Sequence, residues 1–187
     1  MYFGVEDLSE SYVAGALIID GVLKIVLHPF IKIEVPRSAD IVIIFLQSPI
    51  YTTNLISPVC LSKPGDNHKN TGKVGYAVGW GINEAGFVSS FKKHSAMTIT
   101  NQNACHKSFP NINFNKNSYF CASSIDTFST PCELDDPFYV KELEKWYLIG
   151  LINVYFFNPV ENKCSLTSPT LYEDISFYTD WIKASTK

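Results

Sequence analysis

Short apolar and β-branched stretches alternate along the chain with clusters of Gly, Pro and Asn. Residues 12–19, 22–27, 41–46, 74–80, 96–100, 119–123, 138–140, 147–154 and 170–172 have the length and composition of strands. That spacing predicts an antiparallel sandwich or barrel rather than alternating β and α units, so the expected class is all-β. Only the last segment has a helical period. Ile175, Tyr178, Trp181 and Ile182 recur three and four residues apart in one apolar stripe, and Asp174 or Ser176 can cap it. The longest nearly unbroken apolar stretches, 41–46 and 146–157 (the latter interrupted by Asn153), are too short to span a bilayer and are expected to be buried strands.

A polar loop over 62–73, containing Pro64-Gly65-Asp66, divides the chain into a shorter first part and a longer second one. The asparagine-rich stretch 111–118 is expected to be an exposed loop, because Asn favours turns and left-handed backbone. With 46% hydrophobic residues among 187, the chain has enough apolar material for a core, which excludes disorder. The formal charge is −3, Arg37 is the single arginine and Lys92-Lys93 the longest lysine run, so neither a nucleic-acid nor an anionic-lipid footprint is expected.

The first ten residues, with Glu6, Asp7 and Glu10, lack the basic start and apolar middle of a secretory leader, a pattern that taken alone predicts a cytosolic chain. The five cysteines, Cys60, Cys105, Cys121, Cys132 and Cys164, form no Cys-x-x-Cys pair, so no zinc or thioredoxin-type site is expected. Their spread suits two disulfides and one odd thiol, which implies an oxidising compartment. The two expectations conflict, and a missing stretch of natural N-terminal sequence reconciles them.

Candidate chemistry is sparse. Asp40 precedes the apolar run 41–46, where a carboxylate can orient a histidine as in a Ser-His-Asp triad; without a partner histidine the favoured reading is an aspartate accepting turn hydrogen bonds at a strand start. His28, His68, His94 and His106 lack the pattern of a base or a metal ligand and are read as non-catalytic. Cys132-Glu133-Leu134-Asp135-Asp136-Pro137 is the densest acidic cluster, read as a tight turn, since neither an aspartic-protease pair nor a calcium loop is spelled there. Glycines beside Trp80 in Val78-Gly79-Trp80-Gly81-Ile82 fit close backbone approach or a barrel corner. Neither a metal nor a cofactor is expected.

In order along the chain, these pieces resemble the chymotrypsin/trypsin family of serine proteases from about His28 to Ile182. The matching stretches are His28-Pro29-Phe30, Ser38-Ala39-Asp40-Ile41-Val42, Ile56-Ser57-Pro58-Val59-Cys60-Leu61, Val78-Gly79-Trp80-Gly81, Cys105, Tyr119-Phe120-Cys121-Ala122, Cys132, Trp146 to Gly150, Cys164, Pro169 to Tyr172, and the closing Tyr178-x-x-Trp181-Ile182. The resemblance implies a double β-barrel with the first barrel incomplete: a remnant over about 1–62, a second barrel over about 73–174, and a C-terminal helix over 175–185, in one domain. It also implies disulfides Cys105–Cys121 and Cys132–Cys164, with Cys60 left for an upstream segment, and an extracellular, secreted location.

The departures from the family pattern shape the functional expectation. Where active members read Cys-x-Gly-Asp-Ser-Gly-Gly-Pro, this chain puts Leu134 at the oxyanion glycine, Asp135 at the aspartate and Asp136 at the nucleophile, and then loses two residues before Pro137. An aspartate there cannot be activated as an alkoxide and sets negative charge where the oxyanion develops. No stretch before Asp40 resembles the family's histidine motif, so Asp40 is the triad position that remains. Thr130 stands at the pocket base, and Asn153, Tyr155 and Thr170 replace small pocket-lining residues. The expectation is a non-catalytic serine protease homologue that binds a protein partner such as a protease, inhibitor or cascade component. The alternatives are a serine-type endopeptidase carrying out proteolysis by family membership, or a truncated product with no folded role.

Overall fold

In the computed structural model of the chain, residues 1–9, 16–18, 21–31, 40–66, 69–80, 89–112, 117–125, 137–158, 163–165 and 168–187 are described. In chain order the strands are β1 (Tyr2–Phe3), β2 (Leu17–Ile18), β3 (Val22–Leu27), β4 (Val42–Leu46), β5 (Cys60–Leu61), β6 (Val74–Gly79) and β7 (Lys93–Ile99). They continue with β8 (Tyr119–Ser124), β9 (Pro137–Glu142), β10 (Lys145–Val154), β11 (Phe157–Asn158), β12 (Lys163–Cys164) and β13 (Thr170–Asp174), and the helices are α1 (Gln102–Ser108) and α2 (Ile175–Ser185).

Strands β13, β8, β7, β6, β9 and β10 pair antiparallel in that order, and β10 pairs back onto β13. This closes a six-stranded barrel, which removes the exposed sheet edges that invite aggregation. Alternation along each strand fills the interior with Ala77, Met97, Ile99, Phe120, Ala122, Phe138, Val140, Ile149, Ile152 and Tyr172. Three of these rings form the centre. Phe120 stacks on Tyr172 at 5.1 Å, and Phe138 meets Tyr172 edge-on at 4.8 Å. The Tyr172 hydroxyl lies 3.1 Å from Met97 Sδ, so its polar end is not stranded among hydrocarbon.

The opposite faces of the same strands carry two smaller clusters. Tyr119, Cys121, Val154 and Leu171 pack with Cys105 and Phe109, and a disulfide joins Cys105 of α1 to Cys121 of β8. On the other side Ile175 and Tyr178 of α2 meet Ile41, with Leu61, Leu148, Leu151, Trp181 and Ile182 around them. The Asp174 carboxylate accepts from the Ser176 amide and caps α2, while Thr179 Oγ1 lies 2.8 Å from the Ser62 carbonyl. Strand β5 runs parallel to β10, with Cys60 opposite Tyr147 and Leu61 opposite Leu148.

Three expectations need correction. The chain has a second helix, α1, whose seven residues are too short to show a full apolar stripe; the Asn101 side chain caps it by accepting from the Ala104 amide at 2.9 Å. Strand β4 is not a buried strand: Val42 and Ile44 are exposed, because among the described residues β3 and β4 pair only with each other as a two-stranded sheet. Strands β7 and β9 extend beyond the apolar runs at 96–100 and 138–140, since pairing carries the ladder through Lys93, His94, Lys141 and Glu142, whose side chains face water. Of the stretch 12–19, Leu17–Ile18 forms a strand, and 10–15 and 19 lie outside the described residues.

Candidate functional site

The candidate site lies on the outer wall of the barrel, where β10, β13 and β8 run side by side beneath α2. Register aligns Leu151 of β10, Glu173 of β13 and Tyr119 of β8 across the three strands, so all three side chains share one face. A bulge between Ile152 and Val154 inserts Asn153 as the extra residue of β10, and bulges of this kind re-aim side chains. Tyr178 covers the row from α2, and Asp40 approaches from the segment that leads into β4.

Glu173 is the centre of the cluster. It is 1% exposed, yet no ammonium, guanidinium or imidazolium pairs with it among the described residues. Its Oε1 accepts from the Asp40 amide at 2.7 Å and from Asn153 Nδ2 at 3.0 Å. Its Oε2 has no hydrogen-bond donor, and neither does Asn153 Oδ1, also buried. Burial pushes the Glu173 carboxyl above its ordinary range, and the Asp40 charge adds to this. The Tyr178 hydroxyl and the Asp40 and Asn153 donors pull the other way. The same burial, with the nearby Glu173 carboxyl, raises the Tyr119 and Tyr178 phenols far above theirs.

The positions singled out in the sequence separate in the structure. Asp40 is exposed, and its backbone rather than its carboxylate makes the cross-barrel hydrogen bond. Among the described residues no histidine forms a hydrogen bond or ion pair with it. Asn153 turns toward Glu173, Tyr155 packs partly against the barrel core, and Thr170 is buried in β13 opposite Ala122. Thr130, Cys132, Leu134, Asp135 and Asp136 lie outside the described residues, as does the side chain of Cys164. Cys60 is a half-buried free thiol.

His28 is 7% exposed and sits among the Phe30, Tyr178 and Trp181 rings at 5.4, 5.0 and 4.8 Å. Its Nδ1 accepts from the Phe30 amide, and burial lowers its pKa. His94 and His106 are exposed. Sequence reasoning missed Glu173. The available signal was an acidic residue inside a strand whose five positions are all buried, directly before the capping aspartate.

A closed six-stranded antiparallel barrel followed by a docked C-terminal helix, with a β-hairpin packed beside it, is the architecture of a trypsin-like fold. The trypsin family model matches residues 20–182, and the chain belongs to that family. Over 184 residues it is 29% identical to the CLIP domain-containing serine protease B4 of Anopheles gambiae, covering 95% of this chain and 49% of the relative. It is 24% identical over 179 residues to haptoglobin of Bos taurus, covering 86% of this chain and 41% of the relative. Phenoloxidase-activating factor 1 of Holotrichia diomphalia is 26% identical over 170 residues, with 88% and 45% covered. The chain thus spans about half the length, or less, of these relatives.

Proposed function

We propose that this chain is a non-catalytic serine protease homologue that works by binding a protein in an extracellular protease cascade. The observation that carries this reading is the segment Cys132-Glu133-Leu134-Asp135-Asp136-Pro137, which offers a carboxylate where the family mechanism needs a serine hydroxyl. A carboxylate has no proton to surrender to a base at neutral pH, and its charge opposes an oxyanion. The surroundings of Asp40 support the reading: the buried Glu173–Asn153 pair holds its backbone, and a triad would need a base on its carboxylate. Leu134 at the oxyanion position, with Thr130, Asn153, Tyr155 and Thr170 at pocket positions, leaves no small-residue-lined specificity pocket in this reading.

In the same proposal residues 1–62 are the remnant of a first barrel, 73–174 the second barrel and 175–185 the closing helix. Cys132 pairs with Cys164, and Cys60 awaits a partner thiol on an upstream segment. The Cys105–Cys121 disulfide supports an oxidising, extracellular setting. A relative named as a phenoloxidase-activating factor and another named as a CLIP-domain serine protease support a place among cascade components.

The test is hydrolysis of a broad peptide library. The expected result is no cleavage above background, together with a changed cleavage rate when the chain is titrated into an assay of an active trypsin-family protease from the same source. Cleavage by the chain itself that a serine-directed phosphonate abolishes would favour the serine endopeptidase instead.

A further inference from the structure

Strands β3 and β4 set Ile25 opposite Ile44 and Leu27 opposite Val42, and residues opposite each other in an antiparallel ladder point to the same side of the sheet. The alternate pairs, Val26 with Ile43 and Lys24 with Phe45, point to the other side. The two sides differ in what covers them. Val26, Ile43 and Phe45 are half-buried, and Ile41, just before β4, is buried against Ile175 and Tyr178 of α2. Ile25, Leu27, Val42 and Ile44 are all exposed, and so is Leu23 at the register shift between Val22 and Lys24; their exposures run from 42% at Val42 to 64% at Leu23.

We propose that this outward side of the β3–β4 sheet is the contact by which two copies of the chain associate, packed face to face about a two-fold axis with Ile25 and Ile44 at its centre. The area fits a second copy. At these exposures the five aliphatic residues present about 500 Å² of apolar surface, and two copies meeting there bury about 1,000 Å², the size at which specific interfaces begin. A contiguous patch of about 500 Å² lies in the upper part of what a soluble monomer exposes, where such patches mark interaction sites.

The chemistry fits a second copy as well. Lys24 is the one charged residue of the two strands, and it belongs to the other side, where its Nζ lies 4.2 Å from the centroid of the Phe45 ring. The outward side is thus aliphatic throughout, so two copies laid together oppose no like charges and bury no unpaired ion. A two-fold axis between the Ile25–Ile44 pairs sets aliphatic side chains against aliphatic side chains in both copies. It also closes the assembly at two, because each copy spends the same face. Two twisted sheets stacked in this way form layers about 10 Å apart, the ordinary spacing of a β-sandwich.

Sedimentation velocity of the chain from about 1 to 200 µM tests this. A contact of this size is expected to give a monomer–dimer equilibrium with a midpoint inside that range. Ile25→Lys or Ile44→Lys places a charge in the contact twice, once from each copy, and is expected to weaken association at least about tenfold. Leu143→Lys, a charge added at the exposed tip between β9 and β10, is expected to leave the equilibrium unchanged. If a lysine variant melts well below the wild type, Ile25→Thr, β-branched and suited to a strand, replaces it with the same expected direction. A chain that stays monomeric across the range leaves this face to another occupant and overturns the proposal. So does a dimer that the charged and Ile25→Thr variants leave intact, or a series of species growing past the dimer.

Discussion

Asn153 donates its side-chain amide to Glu173 Oε1 at 3.0 Å, so a bulged residue of β10 holds a buried carboxyl of β13 in place. Asn153→Ala removes one of the two N–H donors on that oxygen. Leaving a buried polar group short of a partner costs about 1–3 kcal/mol. The expected result is a loss of that size in denaturant unfolding, with much of it recovered when Glu173→Gln is added in a double-mutant cycle. Strictly additive losses would mean that the two side chains are not coupled.

Gly75 is required by packing rather than by a turn. A Cβ there would fall on the Phe138 ring and lie 2.7 Å from the Tyr139 carbonyl oxygen. The ring belongs to the central aromatic trio, and the carbonyl is main chain on the neighbouring strand, so neither can move away at small cost. Gly75→Ala is expected to destabilise by about 1–3 kcal/mol, the usual cost of overpacking. An unchanged urea midpoint contradicts this.

Leu143 occupies the tip of the β9–β10 hairpin with φ 53° and is 94% exposed. A bulky residue in left-handed backbone costs about 1–2 kcal/mol, and its exposed side chain recovers little of that by packing. Leu143→Asn or Leu143→Gly is expected to raise Tm by about 2–4 °C. A lower Tm for both variants would show that the leucine side chain stabilises the turn.

The Cys105–Cys121 disulfide closes a short loop between α1 and β8, and both residues are fully buried. Replacing both with Ala is expected to cost about 2–4 kcal/mol, and the thermal melt of the variant should report it. Slow reduction in the folded chain, accelerating in denaturant, is the kinetic counterpart; immediate reduction without denaturant would contradict the burial.

Tyr119, Tyr139 and Tyr178 carry phenols whose pKa values burial raises, two of them further by the nearby Glu173 carboxyl. A raised pKa means that folding favours the protonated form, so their contribution is lost as pH rises through the folded values. Spectrophotometric titration is expected to show these three ionising late and together with alkaline unfolding. Complete ionisation of all ten tyrosines in one step near pH 10, with the fold intact, would contradict it.

Much of the barrel was legible because its strands are bounded by turn residues and carry the apolar side chains the interior needs. The C-terminal helix was legible from Ile175, Tyr178, Trp181 and Ile182, which do form its docked face. Helix α1 was not, since its stability comes from the Asn101 cap and the disulfide rather than from a stripe. The exposure of Val42 and Ile44 was illegible for another reason: an apolar run reports what a strand could bury, and only pairing decides what covers it. Glu173 was hidden because an acidic residue beside a helix cap reads as local chemistry, whereas its partners, Asp40 and Asn153, lie 133 and 20 residues away.

The most direct measurement of the central claim is intact-mass analysis after incubation with a fluorophosphonate, with active trypsin as the control. On the proposed placement of Asp136 at the family's nucleophile position, the chain is predicted to keep its mass unchanged while trypsin gains one adduct. A stoichiometric adduct on a serine of the folded chain, lost on denaturation, would contradict the account.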